Sequence, residues 1–327
     1  MKNTLLLFCL FAGAVGFSQS ARSTKLIADN GSGNKPTVSR HTTTETDYKS
    51  ATEDELLKAV SRANADAKIA IAQELVERKS AKVADLFKSY MTSDEIVKLK
   101  LGVIEYESNP ASELYVAVAH QKEKAERKKY YERTTKKGLQ KELKGMFGRD
   151  YDTKWTSVET DACLAKLTAM ALADDNVAPR TLNTIFYTSG YKSKNYARVK
   201  FFATKYPTAE ILATLANFKN PTDIAVLTQY PQASYIAYSV YPHAAFFPTL
   251  QMNVDDDYAN ADFQNAISAY KNADAKTLLS KVCANICNNY ALKSERDDKL
   301  FQLYSVIEKR NCRLFDSLLK KIDVLLQ

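Results

Sequence analysis

Only three histidines occur in the chain, His41, His120 and His243, and they lie far apart in sequence. None opens an H-E-x-x-H pair, so the helix-borne zinc-peptidase signature is missing. A P-loop, a G-x-G-x-x-G turn and a G-x-S-x-G elbow are missing too, which removes the common phosphate cradles and serine-nucleophile turns. After the first twenty residues no run is apolar for long enough to cross a bilayer. The acidic cluster Asp255, Asp256 and Asp257 with Asp262 has neither the alternation nor the central glycine of an EF-hand loop. It reads as the cap of a helix over ANADFQNAISAY. No cofactor and no metal site are expected. These absences weigh against an enzyme without abolishing that reading, because two carboxylates brought together by the fold leave no spacing in sequence.

What is present begins with MKNTLLLFCLFAGAVGFSQS. A lysine at position 2, an apolar core and small residues at Ser18 and Ser20 form the pattern of a signal peptide over residues 1–20. Cys9 lies inside the apolar run, which argues against lipidation there. The expected mature protein is exported, periplasmic or extracellular, with no transmembrane span. Residues 21–50 are rich in Ser, Thr, Asn and Gly and read as a flexible leader, with a weakly signalled hairpin of TKLIA and PTVSRH. Beyond them, 45% hydrophobic and 26% charged residues are ordinary for a globular chain. The net charge of +8 is a modest bias, and an exported protein seldom meets nucleic acid.

Strand signals are scarce, and from Thr52 onward the pattern is helical. Thr52 with Glu55 forms a capping box, in which hydroxyl and carboxylate satisfy reciprocal orphan amides. The same spacing recurs at Thr92 with Glu95 and at Thr156 with Glu159. Asn109-Pro110 reads as a cap followed by a first helical residue. Residues 121–149 are Lys/Arg-rich with interleaved glutamates. They suit an anionic envelope surface as partner, or a plainly solvated helix laced by pairs such as Glu123 with Arg127 and Glu132 with Lys136. A boundary near Gly148 to Tyr151 divides an N-terminal helical region, 51–148, from a second one, 149–327.

That second region holds one phrase three times: TKYP, TQYP and SVYP, in a chain with only eight prolines. A residue before proline is pushed out of the α region, so Tyr206-Pro207, Tyr230-Pro231 and Tyr241-Pro242 are expected to end one helix and start another. Tyr206 to Tyr230 spans a full period and Tyr230 to Tyr241 about half of one. Helices this short must stack on neighbours to bury an apolar face, which predicts an all-α, multi-helical array with solenoid-like stacking of helical hairpins. PTAEILATLANFKNPTDIAVLTQYP, with Pro207, Leu212, Leu215-Ala216 and Asn220-Pro221, is similar to the leucine-rich variant repeat, and Val199-Lys200 stands where that family often has Val-Arg. A degenerate HEAT-like array is an equal resemblance. Either covers about residues 197–248 and implies a binding scaffold without catalytic residues. Tyrosine stands where that family usually has asparagine.

Tyr206, Tyr230, Tyr235, Tyr238 and Tyr241 crowd this stretch and are the candidate binding residues, since tyrosine offers large contact area at low entropic cost. They suit core filling between stacked helices as well. Four cysteines follow the leader: Cys163, Cys283, Cys287 and Cys312. Cys283 and Cys287 share a helical face and cannot bond each other without strain, so a disulfide would join either to Cys312 and stabilise by roughly 3 kcal/mol. Reduced core cysteines are the alternative. The leading expectation is an exported, non-catalytic scaffold recognising a protein or peptide. An exported all-α enzyme acting on envelope glycan or lipid through paired carboxylates is the rival, and a structural envelope component is a third reading.

Overall fold

The structure is a computed structural model that describes residues 48–101, 104–133 and 152–327. The expected signal peptide, most of the leader, Lys136 and the expected boundary at 148–151 lie outside the described residues. Helices dominate what is described, and the one sheet among these residues is a two-stranded hairpin. The chain divides into two compact units between Thr188 and Ser189.

The reason for that division is packing in the first unit. Its helices are α1 (Glu53–Val60), α2 (Ala65–Glu77), α3 (Val83–Tyr90), α4 (Pro110–Arg133), α5 (Ser157–Ala173) and α6 (Pro179–Thr188), with strands β1 (Val97–Leu101) and β2 (Ile104–Ser108) between α3 and α4. Helix α4 is the hub, and α2, α3, α5 and α6 all pack on it. Ala111, Leu114, Tyr115 and Val118 on α4 are buried. Each large side chain among them contributes about 1.5–3 kcal/mol through its removal from water. Helices α5 and α6 therefore belong to the hub they bury. Past Ala125 no residue of α4 is buried.

Both capping boxes predicted at Thr52 and Thr156 are formed, each with its glutamate at the third helical position. Asn109 accepts from the Ser112 amide at 2.8 Å and Pro110 opens α4. The box predicted at Thr92 with Glu95 is not formed, because the chain enters β1 instead. VKLKL alternates apolar and charged residues with period two, so Val97 is buried against Ala65 and Ile69 with Leu99 packed beside it, while Lys98 and Lys100 face water. Two-residue alternation overrode a local capping signal. The end of the predicted leader is also held. Arg78 donates to the carbonyls of Tyr48, Lys49 and Ala51 at 2.6–3.1 Å.

The second unit contains α7 (Tyr196–Lys205), α8 (Ala209–Ala216), α9 (Ile224–Gln229), α10 (Tyr235–Val240), α11 (Phe247–Met252), α12 (Val254–Asp257), α13 (Ala261–Ser268), α14 (Ala273–Asn289), α15 (Lys293–Glu308) and α16 (Asp316–Leu326). One line of contacts runs from α8 to α10, α13 and α15. A second runs from α9 to the 3₁₀ turn Ala244–Phe246, and from α11 through α12 and α14 to α16. Every residue of α8 from Glu210 to Ala216 is buried, as expected of a helix flanked on more than one side.

The Tyr-Pro corners behave alike. Tyr206, Tyr230 and Tyr241 close α7, α9 and α10 with φ of −136°, −125° and −130° and ψ of 81°, 68° and 77°. Those values lie outside the α region, as the following proline demands. Each corner starts a new helical turn within three residues of its proline. Helices α9, α10, α11 and α16 begin with a 3₁₀ turn, at Pro221–Asp223, Gln232–Ser234, Ala244–Phe246 and Arg313–Phe315. A second recurring device ends α8, α13 and α15: Lys219, Lys271 and Asn311 sit in the left-handed region at φ 52°, 50° and 46°. Asn220 and Asn272 directly follow the two lysines and cap the next turn.

Candidate functional site

The expected tyrosine surface is split by the fold. Tyr235 and Tyr238 are buried, at 1% and 0% exposure, and are core residues. Tyr238 stacks on Phe246 at 4.4 Å between ring centroids, and Tyr235 meets Phe263 edge-on at 5.1 Å. Their hydroxyls are spent inside the fold. Tyr235 donates to Asp257 Oδ2 and accepts from Asn253, and Tyr238 donates to the Leu227 carbonyl at 3.1 Å. Burial pushes the Tyr238 hydroxyl up to about 12, and burial with the Asp257 carboxylate raises Tyr235 as well. Neither can serve as a contact surface without opening the fold. Tyr206, Tyr230 and Tyr241 are half-buried at the corners.

A different face collects the exposed aromatic and cationic groups. Gly190 and Tyr191 turn the chain through left-handed φ of 63° and 62°, and Asn195 then caps α7 by accepting from the Arg198 amide. Within YARVKFFATK, Val199, Phe202 and Ala203 are buried. The 3.6-residue period therefore sends Tyr196, Lys200 and Thr204 along one outer row and Ala197, Phe201 and Lys205 along the next. A shallow cavity of about 520 Å³ lies along these six residues. Phe201 is 38% exposed. The Arg198 guanidinium lies 4.8 Å from its ring centroid, and the Lys205 ammonium 5.9 Å from it and 5.0 Å from that of Tyr206.

A polar cluster fixes one end of this face. The Tyr196 hydroxyl donates to Asp223 Oδ1 at 2.9 Å and accepts from Asn220 at 2.8 Å and Lys200 at 3.3 Å. Lys200 reaches the same Asp223 oxygen at 2.8 Å, which holds its ammonium above the ordinary lysine pKa. Asp223 is 1% exposed, and its other oxygen is buried without a hydrogen-bond partner. Tyr196 also meets Phe218 edge-on at 5.2 Å. Its ring is thus locked before any ligand arrives. The sequence signal for this site was the alternation of cations and rings in KFFATKYP; of its residues only Tyr206 was predicted from sequence.

The remaining candidates are dispersed. The four cysteines among the described residues are thiols; Cys283 is buried, which raises it to about 11. Cys312 caps the 3₁₀ turn Arg313–Phe315, and that turn packs on α14, which carries Cys283 and Cys287. The described part of the basic run, up to Arg133, is paired in part: Lys124 with Glu77, Lys122 with Asp161 and Arg127 with Glu123. Pairs this exposed contribute about 0–1 kcal/mol each. Asp255, Asp256 and Asp257 form the short α12, where Asp255 pairs with Lys281. Among the described residues no group of three or more His, Cys, Asp or Glu side chains is placed to hold a metal ion. No helix among them is long and apolar enough to cross a membrane. Against this geometry, comparison of the chain with protein-family models, with curated proteins and with solved structures finds no match.

Proposed function

We propose that this chain is an exported, non-catalytic scaffold that recognises a protein or peptide partner, and that its second unit is a solenoid-like array of helical hairpins. The observation that carries the reading is the double line of contacts, α8–α10–α13–α15 and, through the 3₁₀ turn Ala244–Phe246, α9 to α11–α12–α14–α16, with matching corners at Tyr206, Tyr230 and Tyr241. An array of this kind buries each short helix against its neighbours and leaves side chains on the outer rows available for contact. Left-handed residues follow α8, α13 and α15 where the chain crosses from the first line to the second, which is in keeping with that reading. The ringed and cationic face of α7 supports binding: it exposes Phe201 beside Arg198, and aromatic residues and arginine are both enriched at interfaces. Export rests on the N-terminal sequence pattern.

The test is purification from the producing cells' envelope or medium without denaturant, followed by mass measurement of the intact species. A second protein present in fixed ratio is the expected result. A chain recovered alone that cleaves envelope glycan, and loses that activity on Glu113→Gln or Asp262→Asn, would overturn the reading in favour of a carboxylate-dependent enzyme.

A further inference from the structure

The sequence through α7 is one-sided in charge. Between Ser189 and Ala209 the chain carries Lys192, Lys194, Arg198, Lys200 and Lys205 and no carboxylate at all. Asp223 reaches in from outside that stretch and neutralises Lys200. Lys192, Lys194 and Lys205 are exposed. Along α7 the floor of the cavity is apolar, made by Ala197, the Phe201 ring and the aliphatic stems of Lys200 and Lys205. A site that sets positive charge around an apolar floor is complementary to an apolar group with negative charge on both sides of it.

Size narrows the ligand further. Helix α7 is ten residues long, or about 15 Å, so an extended segment of roughly four or five residues spans it. The cavity of about 520 Å³ falls within the ~300–1,000 Å³ that small-ligand sites occupy. It has room for one large side chain and its neighbours. We infer that the α7 face binds a short acidic peptide segment of a partner protein, with one aromatic or large aliphatic side chain seated against Ala197 and Phe201 and flanking carboxylates paired to Lys205 and to Lys192 or Lys194. This rests on the scaffold reading above and assigns the chemistry of its ligand.

Fluorescence anisotropy on the full mature chain tests it with three labelled hexapeptides. One has a phenylalanine flanked by aspartates and glutamates; one replaces the acidic residues by lysine; one replaces the phenylalanine by serine. The acidic phenylalanine peptide binds about tenfold or more tighter than either control, and its affinity falls as salt rises from about 0.05 to about 0.5 M. Lys205→Glu weakens it about tenfold while the chain still melts cooperatively. Phe201→Ala weakens it too; should that variant prove unstable, Lys205→Glu carries the test. Equal binding of the lysine peptide, indifference to Lys205→Glu, or no peptide bound at about 1 mM overturns the assignment. So does tighter binding to an oligothymidylate or to phosphatidylglycerol vesicles. None of these failures touches the intact-complex measurement, which judges the scaffold reading by itself.

Discussion

Replacing Tyr238 by alanine removes a ring that is 0% exposed, stacked on Phe246 at 4.4 Å, edge-on to Tyr235 at 6.2 Å, and hydrogen-bonded through its hydroxyl to the Leu227 carbonyl. Truncating a buried aromatic side chain to alanine destabilises by about 3–5 kcal/mol, from lost transfer energy plus the cavity left behind. Tyr238→Phe keeps the ring and leaves the Leu227 carbonyl short of one donor, at a cost of about 1 kcal/mol. The two variants therefore separate packing from hydrogen bonding at one site. Urea titration followed by far-UV circular dichroism measures both, and an unchanged slope certifies that the change is one of stability. As a control, Phe201→Ala, exposed on α7, is expected to lose clearly less than Tyr238→Ala. If Tyr238→Ala shifted stability by less than about 0.5 kcal/mol, the assignment of this tyrosine to the core would be wrong, and with it the packing of α10 between α8 and α13.

Three further outcomes are expected. Lys219→Gly and Lys271→Gly, at left-handed φ of 52° and 50°, each stabilise by about 0.5–1 kcal/mol in the same titration; destabilisation would refute the left-handed closure of α8 and α13. Glu113 is buried at the start of α4, and burial raises its carboxyl while the Ser108 hydroxyl works the other way. Its folded pKa thus lies above the unfolded one, so the ionised group opposes folding, and stability falls as pH rises from the unfolded value through the folded one. Glu113→Gln is expected to match the wild type at low pH and to exceed it at neutral pH, and a gain independent of pH would refute the mechanism. Glu159 shows the opposite sign: Lys79 first, then the Thr156 amide and hydroxyl, hold it at about 2. Its contribution is present above the ordinary carboxylate range and is lost as pH falls toward about 2, so Glu159→Gln flattens the acid limb of the stability profile.

Some of this fold was legible in sequence because its causes are local. The capping boxes at Thr52 and Thr156 need only residues three apart, and a proline constrains the tyrosine directly before it. The Thr92 box misled for the same reason: the period-two alternation of Val97 and Leu99 against Ala65 and Ile69 is a tertiary fact that outweighs a capping pair. Lys219 and Lys271 gave no warning of left-handed backbone, since lysine does not prefer it; packing on both sides of α8 and α13 imposes it. The candidate site was half legible. Rings and cations alternate visibly through KFFATKYP. Whether a given tyrosine points in or out was not visible, because α10 has only six residues, too few for a period to show that Tyr235 and Tyr238 share its inner side.

Crosslinking mass spectrometry on the intact protein with the partner that co-purifies from its producing cells bears most directly on the scaffold reading. Crosslinks to the partner are expected to concentrate on Lys192, Lys194 and Lys205, beside the exposed Phe201, and to fall away in Lys205→Glu. Crosslinks confined to the lysines of α4 or of α14 to α16, with none around α7, would contradict α7 as the binding face, and recovery of the chain with no partner would contradict the scaffold reading itself.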